Sequence, residues 1–351
     1  MTTRDGNVLA YVRALTQRLE LDERDRCSQT FDLTFDPSVH DLFVTWEHGG
    51  CVCVPSDKEL LKPSGFIVRE QLTAWFGVPS LAVLMRRLGG LKLGAYPRLR
   101  RVLFAGEALP ADVANDFAAA APGARIENLY GPTETTIACT AHRWFPSDGN
   151  ETARMGIVPI GRPLPALGAI VVDTDLRPTQ PEEPGELLIS GPQLATGYLD
   201  DPGRTADAFV VPPGRSSVHY RTGDRAVVDA DGLLHFLGRV DSQVKINSYR
   251  VELGEVEAAL RDLEAVEEVV VLAWPETGPG TASGLAAFVT PPSEPGSSHA
   301  AAGPELRASL TERLPAYMVP QSIRILPTLP TNANGKYDRP ALRKMLEVPD
   351  E

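Results

Sequence analysis

Short apolar runs alternate with helical patterns through the first half of this chain, and that alternation restricts it to a layered α/β architecture. Residues 7–19 and 110–121 repeat their apolar positions at helical spacing, whereas 51–55 and 101–104 are brief apolar runs of strand length. A parallel or mixed sheet with helices packed on it follows. Between residues 157 and 224 the texture changes to short strands broken by Gly and Pro, such as 169–173 and 185–190, which predicts a small β-rich lobe.

Beyond Gly238 the order is helix (252–263), strand (269–273), strand (284–290), helix (305–314) and strand (322–326), a small α+β unit of its own. The division read from these patterns is 1–238, an α/β core with its β-rich lobe, and 239–351, a C-terminal subdomain that the resemblance given below implies is mobile. Residues 291–303 are rich in Pro, Ser, Gly and Ala and predict a mobile surface loop.

At 351 residues and 43% hydrophobic content there is core material for one large or two ordinary domains. No apolar run approaches the ~20 residues of a membrane span, and the N-terminus lacks the order of a signal peptide, so the expected location is the cytoplasm with no membrane partner. A net charge of −12 without a clustered Lys/Arg stripe argues against nucleic acid, whose phosphates need local positive charge. Cys27, Cys51, Cys53 and Cys139 form no metal-ligand spacing and are expected to be reduced core thiols, with Cys51 and Cys53 on one side of a strand.

Four strings carry chemistry. Asn128-Leu129-Tyr130-Gly131-Pro132-Thr133-Glu134-Thr135-Thr136 follows a strand-like run and gathers an aromatic, a tight turn, hydroxyls and a carboxylate, a set able to stack a purine, contact phosphate and hold a metal. Tyr220-Arg221-Thr222-Gly223-Asp224 places a carboxylate just past a glycine, where it can accept both hydroxyls of a ribose. Gly238 to Ile246 starts as a strand leaving the lobe, and Asp241 stands where a hinge could absorb backbone rotation. Asn334-Gly335-Lys336-Tyr337-Asp338-Arg339 puts an ammonium at a loop tip, able to neutralise charge on a transferring phosphoryl group. Taken singly, each also reads as an ordinary turn, hairpin, linker or exposed lysine.

Taken in order, these strings resemble the adenylation domains of nonribosomal peptide synthetases, members of the acyl-adenylate-forming superfamily. Phe35-Asp36-Pro37-Ser38, Gly185-Glu186-Leu187-Leu188-Ile189-Ser190-Gly191, Gly197-Tyr198-Leu199, the run from Tyr249 to Glu257 and Leu314-Pro315-Ala316-Tyr317-Met318-Val319-Pro320 extend the match along nearly the whole chain. The resemblance implies ATP and Mg2+ as cofactors. It puts Tyr130 on adenine opposite a wall of Gly106, Glu107 and Ala108, with Asn128 and Gly131 in the same nucleotide set. Thr133 would contact the α-phosphate, Glu134 the magnesium, Asp224 and Arg239 the ribose, and Lys336 both the substrate carboxylate and the α-phosphate. Asp241 matches the hinge about which the C-terminal subdomain turns.

In this family an aspartate at the place of Asp36 binds the α-ammonium of an amino acid. The carried-over pocket is Asp36, Pro37, His40, Phe76, Leu103, Ala105, Leu129, Ile137, Ala138 and Lys336. Apart from its end charges and His40 it is apolar, which favours a small or medium apolar side chain, with proline the best fit; His40 leaves a polar side chain such as serine's open.

Two departures stand out. The family's first segment, with a Ser/Thr/Gly-rich phosphate loop and its lysine, has no counterpart, so the chain is expected to be a weak catalyst alone, with an apolar face where that segment would pack. Asn247-Ser248 replaces the family's usual Arg-Gly and narrows the expectation for thiol transfer. No carrier motif follows Arg339, which implies a separate phosphopantetheinyl carrier protein as partner; a small helper protein is a further partner the family admits. An acyl- or aryl-CoA ligase of the same superfamily and a catalytically impaired binding module remain open beside the amino-acid adenylating ligase.

Overall fold

The patterns of the first half become one seven-stranded sheet in the computed structural model, which describes residues 1–148, 152–154, 156–239, 243–247, 249–292, 303–331 and 337–347. Its strands are β1 (Arg26–Ser28), β2 (Cys51–Cys53), β3 (Ala74–Gly77), β4 (Arg101–Phe104), β5 (Arg125–Tyr130), β6 (Thr140–Trp144) and β7 (Arg162–Pro163), in the order β2-β1-β3-β4-β5-β6-β7. The first five pair in parallel, and β6 and β7 close the sheet antiparallel.

Period-two alternation divides the side chains of these strands between two cores. Trp75, Val102, Phe104 and Ile126 pack with Phe66, Met85 and Phe117 from the helices Pro63–Arg69, Pro79–Arg87 and Ala111–Ala120. Phe76, Leu103 and Leu129 point the other way, into a cluster with Tyr11 and Leu15 of the helix Asp5–Leu19. That helix begins where Asn7 Oδ1 accepts from the Arg4 amide at 2.8 Å, with Asp5 in its first turn suiting the helix dipole. Glu127, fully buried, ties the helix to the sheet: it takes Arg18 at 2.6 Å and Arg143 at 2.9 Å.

A five-stranded antiparallel sheet follows, formed by β8 (Gly168–Val172), β9 (Gly185–Ser190), β10 (Phe209–Val210), β11 (His219–Val228) and β12 (Leu234–Arg239). Both sheets belong to one compact unit, Met1–Val240; the second unit is Asp241–Glu351.

The second unit has β13 (Gln243–Ile246), β14 (Tyr249–Glu252), β15 (Glu268–Ala273), β16 (Glu276–Gly278), β17 (Thr281–Ala282), β18 (Leu285–Thr290) and β19 (Ser322–Ile325), arranged as a four-stranded and a three-stranded sheet. Val256 and Leu260 of the helix Leu253–Arg261 and Leu310 of the helix Gly303–Thr311 pack on Val271 and Ala287. The α/β and α+β classes are those the sequence implied. Three short strands, β14, β16 and β17, were not legible in it, because two to four residues held by cross-strand pairing leave no periodic signal.

Cys51 is a correction. It was expected to be a core thiol, yet it is exposed at the start of the edge strand β2, while Cys27, Cys53 and Cys139 are buried. Exposed apolar side chains on the first unit include Leu33, Leu61 and Val68, with Phe43 and Trp46 touching edge to face at 5.7 Å. Most of the predicted 291–303 loop lies outside the described residues, as do Asp241, Ser248 and Lys336.

Candidate active site

The parallel strands deliver their loops at one edge of the sheet, since β3, β4 and β5 are neighbours and all end there. In open α/β sheets that carboxyl edge is where ligands sit. Gly106, Glu107 and Ala108 leave β4 at this edge, and Tyr130, Gly131 and Thr133 leave β5 beside them. Glu107 is fixed by Ser80, whose amide donates at 2.9 Å and whose hydroxyl at 3.2 Å.

Tyr130, Asp224 and Arg239 meet in one buried cluster. The Tyr130 hydroxyl donates to Asp224 Oδ2, and Arg239 Nη1 donates to Oδ1 at 2.6 Å. Burial, and then the Asp224 charge, hold the Tyr130 phenol well above its ordinary value, so it remains a donor. Asp224 is only 3% exposed and is further tied by its own amide, which donates to Thr222 Oγ1 at 3.0 Å. With two donors aimed at it, its carboxylate is oriented in advance, and each oxygen keeps a second lone pair for a ligand hydroxyl. Asn128 is also buried, but its carboxamide donates to Pro159 O at 2.9 Å and so braces the segment behind the cluster.

Phe76, Leu103, Ala105, Leu129, Ile137 and Ala138 share one apolar cluster beside this edge. Rings crowd it: Phe76 lies 4.8 Å from Phe31 and 4.7 Å from His40, centroid to centroid. His40 is buried, and its Nδ1 lies 2.7 Å from the Tyr11 hydroxyl. Burial pushes the imidazole down to about 3 and the Tyr11 phenol well up, so both are neutral at physiological pH. Donation from the phenol to Nδ1 satisfies the buried hydroxyl and places the imidazole proton on Nε2.

Asp36, just ahead of the buried Pro37, is partly buried, and its Oδ2 is shut off from solvent without a hydrogen-bond partner. Burial pushes this carboxyl up to about 6; the Thr133 side chain and the Ile137 amide pull it down, while Glu134 adds to the rise. A partly desolvated carboxylate with one oxygen left unmet is costly, and a cation meeting that oxygen offsets the cost.

The turn Thr133–Thr135 exposes Thr133 and buries Glu134, whose Oε1 accepts from the Tyr198 hydroxyl at 2.7 Å. Gly131 is sterically required here: a Cβ would stand 2.6 Å from Ala138 Cα and 2.8 Å from the Cys139 nitrogen, both backbone. Among the described residues no group of three or more His, Cys, Asp or Glu side chains could cage a metal. One oriented carboxylate nevertheless fits magnesium, which is commonly held by one or two carboxylates together with substrate phosphates.

Tyr11, Gln193 and Tyr198 were not assigned roles from the sequence, and only coordinates could have done so: Tyr11 meets His40 across 29 residues, Tyr198 meets Glu134 across 64. Lys336 and Asp241 lie outside the described residues, so the geometry concerns the first unit alone.

The fold, an α/β sheet with Tyr130, Asp224 and Arg239 gathered in one network, fits the family that the sequence patterns show. The chain belongs to the AMP-binding enzyme family, whose sequence pattern matches residues 1–199, and the pattern of the AMP-binding enzyme C-terminal domain matches residues 255–336. It is similar to the delta-poly-L-ornithine synthetase of Acinetobacter baumannii (strain AB307-0294), with 36% identity over 346 residues, 96% of this chain and 24% of that protein. Among solved structures it resembles the Vibrio cholerae adenylation domain AlmE in complex with glycyl-adenosine-5'-phosphate, with TM-score 0.86 and 34% identity over 98% of this chain and 63% of the other. It also resembles holo-PA1221, a nonribosomal peptide synthetase protein containing adenylation and PCP domains, with TM-score 0.79 and 26% identity over 98% and 59%. The chain thus spans about a quarter of that curated relative and under two thirds of these solved chains. Among the described residues no helix is long and apolar enough to cross a membrane.

Proposed function

We propose that this chain provides the amino-acid and nucleoside sites of an ATP-dependent amino-acid adenylating ligase, which forms an aminoacyl-AMP and passes the acyl group to the phosphopantetheine thiol of a carrier protein. The observation that carries this reading is Asp36 Oδ2, shut off from solvent without a hydrogen-bond partner on the segment whose Phe35 and Val39 pack on the apolar cluster, in a chain that also gathers Tyr130, Asp224 and Arg239. A buried carboxylate with one oxygen still unmet favours a substrate that brings its own cation, which an α-amino acid does and a fatty or aryl acid does not.

The residues then divide the work. Asp36 pairs the α-ammonium and orients the substrate; Tyr130 supports the adenine and, with Arg239, presets Asp224 for the ribose hydroxyls. Thr133 serves the α-phosphate, and Glu134 holds the magnesium that offsets phosphate charge. Lys336, carried by residues 239–351 as the mobile subdomain, neutralises charge developing at the α-phosphorus. In-line attack by the substrate carboxylate needs little beyond such positioning and electrostatics.

The crowding of Phe31, Phe76 and His40 favours a small side chain, with proline the first candidate. The aminoacyl adenylate named for AlmE supports the reaction, and the PCP domain named for PA1221 supports the carrier. ATP–pyrophosphate exchange over the common amino acids, salicylate and a fatty acid tests the reading. Exchange driven by a small apolar amino acid is the expected result; exchange with the aryl or fatty acid alone, or none with any acid, refutes it.

A further inference from the structure

We propose that Gln193 is a positioning residue for the amino-acid pocket, clamping the loop that carries Ile137 and Ala138 and thereby setting how closely a substrate side chain is held. The inference rests on the functional reading above but draws on separate contacts. Thr136 and Ile137 have φ of 60° and 71°, the left-handed region, and both are β-branched. Two such residues in succession are strained and persist only where their surroundings over-determine them.

Gln193 supplies that constraint. Its Nε2 lies 2.8 Å from Ala138 O, 3.1 Å from Thr135 O and 3.4 Å from Thr136 O, so three carbonyls converge on one amide nitrogen. From the opposite direction the Thr136 hydroxyl donates to Gln193 O at 2.6 Å, and two residues on the Ala195 amide donates to Glu134 O at 2.9 Å. Gln193 is 1% exposed, and its Oε1 has no partner. A side chain serving only as filler gains nothing from burying an unsatisfied acceptor; the donor end is what the site uses. The clamp holds Ile137 and Ala138 against Phe76 and Leu129, whereas Tyr130 is held by the β5–β6 pairing with Thr140 and by the Cys139 amide at 2.8 Å, and Gln193 makes none of those contacts. Losing the clamp should therefore loosen the side-chain pocket more than the adenine site.

Gln193→Met keeps length and bulk but removes the donors. The expected result in ATP–pyrophosphate exchange is an amino-acid KM raised about tenfold, with kcat and the ATP KM within about twofold. Amide hydrogen exchange should show residues 135–139 losing protection while the Asp5–Leu19 helix keeps it. Thr136→Val cuts the clamp from its other side and serves if Gln193→Met does not fold; the double variant should cost less than the product of the singles. An unchanged amino-acid KM, equal rises in both KM values, or unaltered exchange at 135–139 overturns the clamp. Should the unaltered protein activate no amino acid, the functional reading falls, and the hydrogen-exchange comparison alone decides the clamp.

Discussion

Replacing Asp36 by asparagine separates two effects of one carboxylate that run in opposite directions. Burial raises its carboxyl to about 6 in the free protein. A folded value above the unfolded one means that the charged form is penalised: the cost is absent below pH 4, grows between 4 and 6, and is complete above about 6. A rise of this size corresponds to roughly 3 kcal/mol. Asp36→Asn should thus raise Tm by roughly 5–10 °C at pH 8 and leave it nearly unchanged at pH 4. Substrate binding moves the other way. Only the charged carboxylate makes a charge-assisted bond to an α-ammonium, worth about 1.5–3 kcal/mol, so the variant's amino-acid KM should rise roughly 10–150-fold at pH 8. Below about pH 6 the unaltered protein must shed a proton to bind, and its KM should climb about tenfold per pH unit, a limb that Asp36→Asn lacks. His40 cannot produce that limb, because burial holds it at about 3. Pyrophosphate exchange at saturating ATP from pH 5 to 8.5, with thermal melts alongside, measures both effects. A KM indifferent to the substitution, or an acid limb that survives it, refutes the reasoning.

Tyr130→Phe removes the hydroxyl that orients Asp224 but keeps the ring, so the ATP KM should rise by less than about tenfold, and Tyr130→Ala should exceed it; equal effects in exchange kinetics would deny the ring a role. Glu127→Gln leaves Arg18 and Arg143 without their buried anion and should cost about 3 kcal/mol, read as a Tm lower by roughly 5–10 °C; an unchanged melt would show the pairs to be idle. Lys336→Ala should lower pyrophosphate exchange about 10²–10³-fold with little change in Tm, and full retention of exchange removes it from the reaction.

Local order was legible in the residues themselves. The run Gly185–Ser190 is β9 with the ends its apolar residues predicted, and the helix expected at 110–121 is Ala111–Ala120, because periodicity and turn chemistry act within a few residues. The order of the chemical strings carried the family, since each keeps its residue types at fixed spacing. Short strands such as β16 and β17 had no such signature, and their existence depends on partners elsewhere in the chain.

What the amino-acid sequence alone determined is the order of the chemical strings, which carries the AMP-binding enzyme family, and the α/β and α+β elements that hold them. Tertiary structure decided how their side chains behave. It brought Tyr130 to Asp224 across 94 residues and Gln193 to Ala138 across 55, turned Phe76 and Leu103 away from Trp75 and Val102, and buried Asp36 and His40 far enough to shift both titrations. The reason is physical: hydrogen bonds, desolvation and packing depend on distance in space, and distance along a chain does not report it.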